Sequence, residues 1–159
     1  MTGDPLSRAD TGRKRLVIEG WRFLPHSYAL VAASHCLCLL RRGDIELRFA
    51  DLPYYYDAWR RTRGILPADD ETALAAVPSP ESNFTPDATF TMRPESPDFS
   101  APRFGRKFVF GTAEYRVLKT RNRSGLRSAG QLPETLSVVT PSLWPALAYQ
   151  RFGFPRERI

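Results

Sequence analysis

Cysteine and histidine are scarce in this chain, two of each in 159 residues. That leaves no zinc-ligand spacing and few options for acid–base chemistry. Cys36 and Cys38 stand two positions apart in a predicted helix, so they point to opposite sides and cannot pair. A reducing cytoplasm is the natural setting for them. Long apolar runs are also missing. The longest near-apolar stretch, 28–40, is broken by Ser34 and His35 and falls short of the ~18 residues of a membrane span. Residues 1–14 are polar and charged, without the apolar core of a secretory signal, and are expected to be a disordered lead-in. Lysine is nearly absent: Lys14, Lys107 and Lys119 stand against 20 arginines.

What is present fits one domain with a buried core, since 42% of residues are hydrophobic and 12% aromatic. The net charge is +6. Arginine suits bidentate contacts to phosphate or carboxylate. The arginines are scattered, however, as on an ordinary solvated surface. The densest basic run, 116–127, lacks the interleaved aromatics of a nucleic-acid stacking platform, so no nucleic acid is expected as partner.

The hydrophobic pattern alternates strands and helices. Residues 15–19 read as a strand apolar at Leu16, Val17 and Ile18, the pattern of a strand buried on both faces. A helix is predicted over 26–42, closed by Arg41, Arg42 and Gly43. Further strands are predicted at 45–49, 87–92, 107–110 and 136–140, and further helices at 69–77 and from Pro141-Ser142 to 152, with Gly153 as the last stop. The first strand–helix–strand fits a right-handed βαβ unit. The fold expected is therefore α/β: a Rossmann-like, doubly wound, mostly parallel sheet with helices on both faces. Residues 154–159 look like the approach to another strand.

Three loops hold the residues with chemistry. The first, at 19–28, carries Glu19, Gly20, Trp21, Arg22, His26, Ser27 and Tyr28. Pro25 suits a first helical turn, and the free N–H groups behind it are suited to a phosphate, with His26, Ser27 and Arg22 as added donors. The alternative is that Ser27 caps and His26 packs on Trp21. It is not a GxGxxG or Walker loop. The second loop follows Phe108-Val109-Phe110-Gly111, where Glu114, beside Thr112, could orient a hydroxyl or act as a base; the alternative is a solvated surface turn. The third is Thr140-Pro141-Ser142, whose hydroxyls face the same edge or simply cap. Tyr54, Tyr55, Tyr56 and Trp59 form an unusual aromatic run, and His35, inside an apolar helix, reads as a satisfied packing histidine.

Taken in order, LVIEGWRFLPHSYALV, DIELRFADLPYY, KFVFGTAEY and LSVVTPSLWPALAYQRFGFPRERI resemble the N-terminal half of a bacterial GT-B glycosyltransferase of retaining group four. The resemblance covers residues 15–159, which it treats as one Rossmann-like N-terminal domain. It implies two such domains facing across a cleft, the first binding the acceptor. The second binds the nucleotide-sugar through a Glu-x7-Glu motif and basic residues, and it is absent from this sequence. The family's first loop maps onto residues 20–28, over the donor phosphates and the acceptor. The family often places a histidine after its fourth or fifth strand. Here that place reads Gly111-Thr112-Ala113-Glu114, with no histidine.

On this resemblance the expected activity is transfer of a sugar from a nucleotide-sugar to a glycan or lipid acceptor, in the cytoplasm or at most at a membrane surface. The chain alone is expected to be weakly active or inactive, and neither a metal nor another cofactor is implied. His26 and Glu114 are the expected catalytic residues. Gly20, Trp21, Arg22, Ser27, Tyr28, Tyr54, Tyr55, Trp59, Thr112 and Ser142 are the expected substrate contacts. Trp21, Phe23, Tyr28 and Trp144 are expected to line an open cleft edge facing water, which predicts association with the second domain or with itself. The alternative function is a non-catalytic α/β binding or interaction module.

Overall fold

A computed structural model describes residues 12–93, 97–113 and 132–159. Five strands form one all-parallel sheet: β1 (Lys14–Gly20), β2 (Ile45–Asp51), β3 (Ala88–Thr91), β4 (Arg106–Phe110) and β5 (Leu136–Val139), in the order β2-β1-β3-β4-β5. Three helices accompany them: α1 (Ser27–Leu40), α2 (Ala68–Ala76) and α3 (Leu143–Phe152). Every predicted element is present, with ends shifted by one or two residues. Lys14, placed in the lead-in by its charge, is already paired with Ile45 in β1; residues 1–11 lie outside the described residues.

Strand alternation divides the core. Leu16 and Ile18 of β1, Leu47 and Phe49 of β2, Phe90 of β3 and Phe110 of β4 pack with Ala32, Ala33 and Cys36 of α1 and with Leu74 of α2. The alternate residues Val109, Leu136 and Val138 face the other way and pack with Ala148 and Tyr149 of α3 and with Phe99. Helices thus cover both faces, as a parallel sheet requires. Gly111 allows the second layer to close. A Cβ there would lie 2.5 Å from Val138 Cγ1 and 2.6 Å from the Tyr149 hydroxyl. Gly153 ends α3 in the left-handed region, at φ 100°.

The last residues do not form a strand. Phe154 is buried on Tyr149, and a 3-10 turn at Arg156–Arg158 brings the Arg158 guanidinium onto the carbonyls of Pro133 and Leu136. Arginine donors take up the carbonyls beside β5, so this segment packs instead of pairing.

The β3–β4 connection is pinned by a charge. Lys107 is buried in β4, and its Nζ donates to Asp98 Oδ2 at 2.6 Å and to the Ser100 carbonyl at 3.3 Å. Burial pushes the Asp98 carboxyl up, but the hydrogen bonds from Lys107 and Ser100 outweigh it and hold it down at about 2. A carboxylate with a lowered folded pKa stabilises the fold above its ordinary value, and that contribution fades as pH falls from 3.8 toward about 2. Asp98→Ala leaves the Lys107 ammonium without its counter-charge. It should cost about 2 kcal/mol, since Asp98 itself is partly in water. Thermal melts of the variant and the unaltered chain should differ at pH 7 and converge near pH 2; equal melting at pH 7 contradicts the assignment.

Candidate functional site at the carboxyl edge

The connection from β1 leads to β2 on one side, and the chain then returns to β3 on the other. Strand order therefore reverses between β1 and β3, and in open parallel sheets ligands bind outside the carboxyl ends of strands at such a point. Glu19, next to last in β1, stands beside Thr91, the last residue of β3, and the fully buried Thr91 hydroxyl donates to Glu19 Oε2 at 2.7 Å. This pair was not singled out from the sequence. The only signal was a carboxylate at the last turn of an apolar strand.

The loop after β1 folds inward. Trp21 is buried and donates its indole N–H to the Pro53 carbonyl at 3.0 Å. Phe23 takes a positive φ of 59°, which for a non-glycine residue costs about 1–3 kcal/mol. Burial supports it, as do the Arg61 and Arg63 guanidinium groups, 4.6 and 3.7 Å from its ring centre. The expected water-facing seam is thereby corrected. Trp21 and Phe23 belong to the core, Tyr28 is half-buried, and Trp144 at 47% exposure is the one of the four that faces solvent.

Arg22 is also corrected. Its Nε and Nη2 donate to the two oxygens of Asp51, and its Nη1 donates to the carbonyls of Leu74 and Val77 at 3.2 and 2.8 Å. Four of its five N–H donors are thus used, and the side chain is buried. It joins the β1 loop to the end of β2 and to the C-terminus of α2, and it has no free face for a phosphate. Gly20 is likewise a packing residue. A Cβ there would meet Ala32, Phe49 and Met92 at ordinary contact distances.

His26, not Ser27, is the N-cap of α1, and its Nδ1 accepts from the Tyr28 N–H at 3.4 Å. Pro25 therefore precedes the cap and lies outside the first turn. With Nδ1 accepting, the neutral ring carries its proton on Nε2, a donor. The His26 ring lies 5.0 Å from Trp59 and 5.5 Å from Tyr28, so it packs on Trp59 and not on Trp21. Trp59 is the hub of an aromatic wall, with Trp21, Tyr54, Tyr55 and Tyr56 at centroid distances of 5.2, 6.2, 6.3 and 5.1 Å. The three tyrosines remain exposed, and Arg93, just past β3, bonds the Tyr55 hydroxyl at 3.4 Å. Beyond His26, the Tyr28 hydroxyl meets Thr112 Oγ1 at 3.3 Å. Tyr54, Tyr55, Trp59, His26, Tyr28 and Thr112 thus form one continuous row along the carboxyl edge.

Ser27 lies exposed in the first turn of α1. Ser142 stands apart, at the start of α3 beyond β5, without a side-chain cap bond and with its carbonyl accepting from Thr140. Glu114 lies outside the described residues. Glu71, in the first turn of α2, holds the aromatic loop. Its Oε1 accepts from the backbone N–H groups of Gly64, Ile65 and Leu66. Among the described residues no cluster of three or more potential ligands could hold a metal, and no helix is long and apolar enough to cross a membrane. A wider hollow of about 730 Å³ opens at the opposite, amino edge beside Arg15, Thr85 and Asp87. Arg15 is engaged there by Thr85 and Glu46.

No family model, no curated protein and no solved structure matches this chain.

Two outcomes follow from this geometry. Arg22→Ala removes a buried guanidinium from the exposed Asp51 and strands two carbonyls, so it should lower stability by about 2 kcal/mol. Arg22→Lys should not restore it, because one ammonium cannot reach all four acceptors. Chemical denaturation would show a full rescue by lysine if the clamp were unimportant. The second outcome concerns the thiols. Burial pushes the Cys36 thiol up to about 12, against the smaller opposing pull of Arg22, whereas Cys38 is exposed. A thiol reagent at pH 8 should modify one cysteine rapidly, identified by mass spectrometry as Cys38, and Cys36 only on unfolding.

Proposed function

We propose that this chain is the acceptor-binding half of a glycosyltransferase that uses a nucleotide-sugar. The observation that carries the proposal is the exposed wall of Tyr54, Tyr55 and Tyr56 around Trp59, beside the start of α1 at the edge where strand order reverses. A sugar ring offers C–H faces to aromatic planes and hydroxyls at its rim. The wall supplies the planes, and Glu19, Tyr28 and Thr112 supply partners for the rim. The order and spacing of the four motifs that resemble retaining group four support the same reading.

In the transfer, the bond from the sugar to the diphosphate breaks through an oxocarbenium-like state, and charge builds on the leaving phosphate. The free N–H groups and positive end of α1 are suited to that charge, with the His26 Nε2–H as a neighbouring donor. Tyr28 and Thr112 are suited to orient the acceptor hydroxyl. A cytoplasmic setting, where nucleotide-sugars are available and Cys36 and Cys38 stay reduced, fits this role.

The second reading is a non-catalytic glycan-binding module. It is favoured by the engagement of Arg22 with Asp51, which removes the basic side chain expected beside the donor phosphate.

Titration with oligosaccharides, followed by tryptophan fluorescence, should give saturable binding with a Kd of about 1 mM or tighter. Tyr55→Ala and Tyr56→Ala should each weaken it by about fivefold to tenfold. Addition of a nucleoside diphosphate-sugar should alter the saccharide affinity if a donor site adjoins the wall. Saccharide binding indifferent to every nucleotide-sugar supports the non-catalytic module, and no saccharide binding at all contradicts both readings.

A further inference from the structure

The aromatic wall carries cations as well as rings. The segment 52–67 that holds Tyr54, Tyr55, Tyr56 and Trp59 also holds Arg60, Arg61 and Arg63, against a single acid, Asp57. Arg60 is exposed and lies on the wall's own backbone, its Nη1 donating to the carbonyls of Asp57 and Trp59. A guanidinium has five N–H donors, and these contacts use one of its nitrogens. Arg93 reaches the wall from just past β3. Its Nε donates to the Tyr55 hydroxyl at 3.4 Å, and its guanidinium carbon lies 6.0 Å from the centre of that ring. Arg61 and Arg63, also exposed, stack on Phe23 at the foot of the loop.

The carboxylates closest in the fold are turned to other tasks. Asp51 binds Arg22, Glu19 accepts from Thr91, and Glu71 Oε1 gathers three backbone N–H groups. Glu71 Oε2 lies 3.9 Å from Arg63, the one ion pair this loop makes among the described residues. Arg60, Arg61 and Arg93 face no carboxylate at ion-pair distance among those residues. Arginines scattered along the sequence are therefore gathered by the fold beside exposed rings. A planar guanidinium matches a carboxylate or a phosphate with two parallel N–H bonds.

We infer that the saccharide held at this wall is acidic, with its carboxylate or phosphate groups on Arg60 and Arg93 and its rings on the tyrosines. The inference rests on the saccharide reading of the wall and names the class of saccharide. Charge complementarity selects it over a neutral glycan. Ring geometry selects it over a single-stranded nucleic acid. Tyr54, Tyr55 and Tyr56 are inclined at 75°, 54° and 70° to Trp59, so they do not form with it the ladder of parallel planes on which successive bases stack.

The test is calorimetry with two matched pairs: trigalacturonate against its neutral methyl ester, and mannose 6-phosphate against mannose. The anionic member of at least one pair should bind at least about fivefold more tightly at low salt, and which pair does so distinguishes carboxylate from phosphate. Raising salt from about 20 mM to about 300 mM should erase most of that preference. Arg60→Gln with Arg93→Gln should bring the acid down to the affinity of its neutral partner, whereas Arg106→Gln, on the amino side of β4, should leave the preference intact. Equal affinity within both pairs overturns the inference and leaves the saccharide reading standing. A preference that survives high salt or the double variant also overturns it, because the anion is then held elsewhere. So does an oligouridylate of equal charge that binds more tightly than either acid. Binding of no saccharide, charged or neutral, removes the inference and the saccharide reading together.

Discussion

The carboxyl edge of this sheet is organised by one buried guanidinium. Arg22 reaches from the loop after β1 to Asp51 at the end of β2 and to the last carbonyls of α2, and it lies 4.8 Å over the Phe49 ring. Those carbonyls sit at the negative end of a helix, where a cation is favoured. With Arg22 in place, Trp21, Phe23 and Leu24 turn into the core and the chain enters α1 at His26. Arg22 also holds the Asp51 carboxylate, and the aromatic run begins three residues later. The positions of His26, Tyr28 and Trp59 all follow from this clamp.

The aromatic loop shows the same economy. It has no secondary structure of its own from Leu52 to Pro67, yet it is anchored at three points. Pro53 takes the Trp21 indole, Thr62 donates its N–H to the Phe23 carbonyl, and Glu71 gathers the N–H groups of Gly64, Ile65 and Leu66. Exposed tyrosines on an anchored loop form a surface with little ordering entropy left to lose on binding, which favours affinity. The positive φ of Phe23 is the local strain that the arrangement carries.

The fold was legible because each strand and helix announces itself locally. Leu16-Val17-Ile18, the Gly43 stop and the Gly153 stop need no tertiary information, and the five strands lie parallel as the alternation implied. The candidate site was legible in part. The cluster of Tyr54, Tyr55, Trp59, His26, Tyr28 and Thr112 was marked by unusual residues near strand ends, and the structure brings these together. Arg22, Trp21 and Gly20 read as ligand groups because their types suit ligands. Their partners, Asp51, Pro53 and Ala32, are remote in sequence or on another element, so no local pattern could reveal that they were already engaged. Glu19 with Thr91, and Glu71 with the aromatic loop, were missed for the same reason.

The aromatic wall at the carboxyl edge is the proposed place where ligand meets protein. Nuclear magnetic resonance of the tryptophan indole N–H groups during an oligosaccharide titration tests it most directly, because Trp59 lies in the wall and Trp144 does not. Saturable shifts of the Trp59 indole are expected, with Trp144 little changed. Shifts confined to Trp144, or an unmoved Trp59 while saccharide binds, would contradict it.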